Sequence, residues 1–243
     1  MKFLIKQDWE NLLSKLYLNN NTSSIGKDSK SRIEKIFFDV SQKMQEIIYS
    51  KQMSHTIYGI AMTLFHYIVC FNSNLKSIDF IEIPFACFYM ATKIQFFDFN
   101  LKELIKDYKE NIKKNNLNEK KNDPDFIKYE IQLYSQLGYD LDIETPYQIY
   151  YNMIPILCNK FQGIKDKFRE LKVFCFNLIN DTYIRPLSLY FHPKIIFWSC
   201  FIFSIKFLEI NDVDLNKLIE GENHELIAEC MEHINDIFSK YIE

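Results

Sequence analysis

Side chains able to do chemistry are few in this chain, and their spacing brings none of them together. The histidines are His55, His66, His192, His224 and His233. No two lie three or four residues apart, the helical spacing that aims two imidazoles at one metal ion. His66 falls inside an apolar helical pattern, where a packed core imidazole is expected. The cysteines Cys70, Cys87, Cys158, Cys175, Cys200 and Cys230 form no Cys-x-x-Cys pair. Each sits in an apolar helical setting suited to a reduced, buried thiol, which fits the nucleus or cytoplasm. Asp140 and Asp142 alternate outward along a link and face solvent. A Gly-rich phosphate loop, a GxSxG elbow and an HExxH helix are all missing from the sequence. The expectation is a protein without catalytic residues, cofactor or metal.

The best-marked elements lie around Lys128–Tyr147, KYEIQLYSQLGYDLDIETPY. Ile127, Ile131, Tyr134 and Leu137 recur at three- and four-residue spacing, the pattern of an amphipathic helix. Asp123 and Pro124 read as its N-cap and first residue, and Gly138 as its left-handed C-terminus. Tyr139–Ile143 alternates apolar with acidic in a short extended link, and Thr145-Pro146 starts the next helix. Glu130 and Tyr134, one turn apart, share a face.

Nearly half of the 243 residues are apolar, with 22 Phe and 15 Tyr against 5 Gly and 6 Pro, so breakers are scarce and an all-α globule is expected. The formal net charge of −3 includes no strongly basic domain, which argues against nucleic acid as the main partner. The opening MKFLIKQDWE carries charges every few residues and lacks a signal-peptide core. The longest apolar run, Ile195–Ile205, falls well short of the roughly 20 residues that span a bilayer, so a soluble protein is expected.

Helical patterning gives a short amphipathic helix at 5–18 presenting Trp9, Leu12, Leu13 and Leu16, then a polar arm, Asn19–Ser31. Five helices follow: 33–48, 54–71 with Ser54 as cap, one ending at Lys93–Phe97 with Pro84 starting or kinking it, 101–112, and 123–137 after a solvated loop, Lys113–Asn122. A second set of five reads 146–160, 166–181, 193–208, 213–220 capped from Asn211–Asp214, and 223–241. The helix Lys194–Leu208 is apolar almost all round and should be a buried centre. The expected domains are 1–33, 34–143 and 144–243. The two sets share too little identity for the sequence alone to prove a repeat.

Three motifs in order carry a resemblance. The "LGYDL" helix end with "ETPY" resembles the close of a first cyclin box and the crossing into a second. Phe85–Lys93, FACFYMATK, resembles the "ALFLAxK" helix of the first box. Asn180-Asp181-Thr182 with Leu187–Ile196 is similar to the "NDS…LCLxYxPxxIA" pattern of the second. The chain thus resembles a cyclin over roughly residues 34 to 240. The resemblance implies two tandem five-helix cyclin boxes and a cyclin-dependent serine/threonine kinase as heterodimer partner.

In cyclins a lysine closing the third helix and a glutamate in the fifth grip the kinase's regulatory helix. The matching positions are Lys93 and Glu130, with apolar contacts falling on Ile94, Tyr134 and Tyr139. Where the family continues "KxEE", this chain has Gln95, Phe96 and Phe97, so an acidic pair is replaced by aromatic surface. Ser31–Val40 matches poorly the first helix whose groove recruits substrates in cell-cycle cyclins. The wording around 138–147 is closer to the transcription-type groups C, H, K, L and T. Two other readings are a TFIIB-type general transcription factor, which uses the same tandem fold on DNA and polymerase, and a cyclin-fold scaffold that binds a kinase or peptide without activating it.

Overall fold

The computed structural model describes residues 26–71, 80–114, 124–138, 141–160, 162–211 and 213–241, and these fall into two compact units that divide between Ile143 and Glu144. Among the described residues every regular element is a helix and no strand occurs. The expected helix at 5–18 lies outside them, as does the polar arm up to residue 25. None of the described helices is long and apolar enough to cross a membrane.

The first unit is built from α1 (Gly26–Ser50), α2 (His55–Phe71), α3 (Glu82–Ile94), α4 (Leu101–Lys114) and α5 (Phe126–Leu137). Phe37, Val40, Met44, Ile47 and Ile48 recur at helical spacing on α1 and are buried, giving it one core face. The Ser54 hydroxyl accepts the Thr56 N–H at 3.2 Å and so caps α2, as expected. Almost all of α2 is buried, and it packs along α3, which in turn packs on α5. Pro84 sits in the first turn of α3, where its missing N–H has no intrahelical acceptor to lose. At the base of these helices Phe85 meets Tyr108 edge-on at 5.5 Å and stacks over Phe126 at 6.3 Å, joining α3, α4 and α5. Tyr108 then donates its hydroxyl to buried Glu82 at 3.3 Å, which gives that carboxylate a partner inside the core. His66 is buried against the Phe37 ring, with centroids 4.8 Å apart.

The second unit comprises α6 (Pro146–Lys160), α7 (Gln162–Asp166), α8 (Phe168–Thr182), a 3-10 turn at Leu187–Leu189, α9 (Pro193–Phe207), α10 (Leu215–Leu218) and α11 (His224–Tyr241). Its centre is α9, whose buried residues run all round its axis from Ile195 to Ile205, as its apolar composition requires. Helices α6, α8 and α11 pack against it. His192 caps α9 by accepting the Lys194 N–H on Nδ1 at 3.2 Å, and Pro193 takes the first position. Thr145 and Gln148 form the reciprocal half of a capping box at α6, with the Gln148 side-chain oxygen accepting the Thr145 N–H at 2.8 Å. Tyr147 donates to the Asn180 side-chain oxygen at 2.7 Å and stacks on Tyr183 at 6.1 Å, tying α6 to α8.

Several boundaries differ from the sequence expectations. Asp125, not Asp123, is the N-cap of α5, accepting the Lys128 N–H at 3.1 Å, and Pro124 lies ahead of the helix rather than at its first position. The Lys113–Asn122 loop begins later than expected, since α4 continues through Lys114. The expected helix 166–181 is found as α8, Phe168–Thr182, with an unforeseen short helix, α7, just before it, and the expected helix 213–220 is one short turn. Cys70, Cys87, Cys175, Cys200 and Cys230 are free, buried thiols, and burial alone pushes Cys70 up to about 12. No group among them is poised as a thiolate.

Candidate interaction site on the first unit

The C-terminal end of α3 and the middle of α5 meet at one ion pair. Lys93 donates from Nζ to both oxygens of Glu130, each at 2.8 Å, across 37 residues of sequence. Burial works against the Lys93 charge, but the hydrogen bond and charge of Glu130 outweigh it. With smaller help from Tyr89 and Tyr134, they hold the ammonium above the usual lysine range. The same ammonium lies 4.4 Å from the centroid of the Tyr89 ring, one turn back on α3. Glu130 is the drier partner, its side chain 8% exposed against 42% for Lys93.

Tyr134 completes the group. Burial pushes its phenol up, the Glu130 charge adds to this, Lys93 opposes it, and a hydrogen bond to Glu130 adds again. Tyr134 and Ile94 are both half-buried at the rim of the pair. Four of the five expected residues therefore form one cluster or its edge, and Tyr139 lies outside the described residues. Tyr89 was missed; its signal was the one-turn spacing to Lys93.

The two segments that meet at the pair also expose apolar side chains. The stripe Ile127, Ile131, Tyr134 and Leu137 does mark α5, but it does not face the core as an amphipathic helix would require. The buried residues of α5 are Phe126, Glu130 and Leu133, while Ile131 is 64% exposed and Ile127 is exposed beside it. Beyond Lys93 the backbone turns in a helix-ending motif. The Gln95 N–H reaches Ala91 O at 3.1 Å, Phe96 N–H reaches Lys93 O at 3.0 Å, and Phe97 N–H reaches Thr92 O at 2.8 Å. That motif requires a left-handed residue, and Phe96 supplies it at φ 52° with its side chain 98% exposed. A non-glycine residue held in this conformation, carrying a bare aromatic ring, is costly in two ways at once. Lys93 and Glu130 are thus a charged pair between two segments that also expose Phe96, Phe97, Ile127 and Ile131, the residue types of a protein-binding hot spot.

A second feature of this unit is a groove of about 680 Å³ between α1 and α3, lined by Lys35, Asp39, Val40, Lys43, Pro84 and Phe85 among others. Its rim is charged and its floor apolar.

No family model and no curated protein matches this chain in sequence. Solved structures do match in fold. A chain of the CAK complex from Chaetomium thermophilum bound to ATP-γ-S superposes with a TM-score of 0.71 at 12% identity, over 98% of this chain and 76% of that one. A chain of the yeast TFIIK (Kin28/Ccl1/Tfb3) complex, solved by cryo-electron microscopy, gives 0.65 at 15% identity, over 96% of both.

Proposed function

We propose that this chain, which has the cyclin fold, is a non-catalytic regulatory subunit that binds and activates a cyclin-dependent serine/threonine kinase. The fold likeness to chains of the CAK and TFIIK complexes supports reading it as the cyclin-type partner of a kinase in transcription, in the nucleus. The observation that carries the reading is the Lys93–Glu130 pair, standing where the resemblance puts the kinase grip and between two segments that expose apolar side chains. Lys93, Ile94, Glu130, Tyr134 and Tyr139 are the proposed interface.

In this reading α3 and α5 pack on the kinase's regulatory helix and hold it inward. That position completes the kinase's own lysine–glutamate ion pair, which orders the ATP phosphates. The chain contributes no reacting group. It works by binding the active arrangement more tightly than the inactive one, and the population of the kinase shifts accordingly. Glu130 is fixed in advance by Lys93 and Tyr134, so little side-chain freedom is lost when a partner docks over it.

The test is co-purification from lysate of the source cell, with wild type and the Lys93→Ala/Glu130→Ala double variant compared by mass spectrometry. The expected result is a cyclin-dependent kinase captured by the wild type alone. Equal capture of polymerase factors or DNA by both proteins would move the function to the general-transcription-factor reading. The formal charge of −3 disfavours that alternative, and a salt-dependent gel shift on duplex DNA would reveal it.

A further inference from the structure

The second unit repeats the geometry of the first at the end of its central helix. Lys206 is the penultimate residue of α9, as Lys93 is of α3. The chain then leaves α9 through the same three hydrogen bonds: Leu208 N–H to Ser204 O at 3.0 Å, Glu209 N–H to Lys206 O at 3.2 Å, and Ile210 N–H to Ile205 O at 3.0 Å. Glu209 is left-handed at φ 51°, matching Phe96 at φ 52°. In both units the helix ending this way packs against the last helix of its unit, α5 or α11. The same backbone exit also ends α1, where Gln52 is left-handed at φ 53°, so it is common to three helices, and the lysine followed by an apolar residue is what α3 and α9 share.

What differs is what fills the notch. In the first unit Lys93 and Glu130 close it with an ion pair. In the second, no ion pair among the described residues involves Lys206 or Glu232, and a groove of about 570 Å³ stays open. Phe203 and Phe207, one turn apart, form the α9 wall. Ala228, Met231 and Asn235, at three- and four-residue spacing, form the α11 wall. Phe207 is 51% exposed, yet its ring is fixed by stacking on Phe174 at 4.6 Å and by an edge contact to Phe238 at 5.1 Å. The apolar surface is thus rigid and already in place, and it stands in water.

We infer that this groove between α9 and α11 is a second docking site, and that its occupant is an amphipathic helix from a separate partner chain. The dimensions favour a helix. From Ala228 to Asn235 the α11 wall runs about 10 Å at 1.5 Å per residue, the length of two turns. Walls spaced at three and four residues present ridges that a third helix interdigitates. A Met beside a small residue forms a surface that moulds to an apolar face. The rims set the charge. Lys206 on the α9 side takes an acidic residue of the incoming helix, and Glu232 on the α11 side takes a basic one. The site is separate from Lys93 and Glu130 and does not depend on their role.

A display library of two-to-three-turn amphipathic peptides, with one apolar face and Glu or Lys at its edges, tests this against the full chain. Binding of the selected peptides is followed by fluorescence anisotropy and their bound conformation by circular dichroism. The expected peptides are helical when bound and carry Glu on the Lys206 side. Ala228→Arg, at an exposed position, and Phe207→Asp should each weaken binding at least about tenfold. Lys206→Glu should weaken Glu peptides and strengthen their Lys counterparts by a similar factor, while Lys102→Glu, at an exposed position of the first unit, should leave both unchanged. Selection of no binder, indifference to Ala228→Arg and Phe207→Asp, or no charge reversal at residue 206 would overturn the proposal. So would peptides bound in extended form, or self-association of the chain abolished by Ala228→Arg, which would make a second copy the occupant.

Discussion

At the scale of single residues, the structural role of the Lys93–Glu130 pair and the recognition role proposed for it separate by magnitude. The Lys93 end is open to solvent, so the pair's contribution to stability is screened. Removing both side chains should cost on the order of 1 kcal/mol by urea unfolding, while partner binding falls far more steeply. Titration has a definite sign. Lys93 is held above its usual range, so its charged form contributes stability throughout neutral pH, and this is lost as pH rises through the raised value. Alkaline unfolding of Lys93→Met should therefore lack part of the destabilisation that the wild type shows above about pH 10. Asp181 behaves oppositely to a paired carboxylate. Burial pushes it up to about 7, so the folded chain holds a proton that the unfolded chain releases, and stability falls as pH rises from about 4 to about 7. Asp181→Asn should flatten that fall and stabilise the protein at pH 8 by about 1–2 kcal/mol, read from thermal melts across that range.

The ends of the helices hold the second set of consequences. Phe96 occupies a left-handed position with its ring in solvent, so Phe96→Gly removes strain and loses no buried contact. It should stabilise the isolated chain by about 0.5–1 kcal/mol while weakening the kinase, a divergence that a purely structural residue would not give. Gln148→Ala removes the side-chain acceptor of the Thr145 N–H at the start of α6 and should cost about 1 kcal/mol in the same denaturation assay. Helix positions were legible in the sequence wherever caps and periodicity agreed: Ser54, Gly138, Pro146 and Pro193 all mark ends that the structure contains. Legibility failed where two signals competed. Asp123 and Asp125 flank the same proline, and only the turn geometry chooses between them. The Ile127–Ile131 stripe has the helical period, yet it faces out because Phe126, Glu130 and Leu133 claim the core instead. A periodicity argument assumes that apolar residues point inward, and a recognition surface is where that assumption breaks.

At the scale of the whole molecule, the fold could be read from motifs at 85–93, 138–147 and 180–196, although no family model or curated protein matches the sequence. Identities of 12% and 15% with structures of the same fold show how little of the fold resides in particular residues. Inside this one chain the same helix exit recurs at α1, α3 and α9 with different residues. Sequence comparison could not reveal this recurrence, because the exit is made of backbone hydrogen bonds and a left-handed residue that Gln52, Phe96 and Glu209 supply equally well. The side chains beside the exits of α3 and α9 differ, an ion pair at Lys93 and an open aromatic groove at Lys206.

The most direct measurement is the phosphotransfer rate of the captured kinase, purified alone and then mixed with wild-type chain or the Lys93→Ala/Glu130→Ala variant. The account predicts that the wild type raises the rate by orders of magnitude and that the folded variant does not. A kinase that binds the chain but gains no activity would contradict activation and make this a scaffold. Full activation by the double variant would remove Lys93 and Glu130 from the interface.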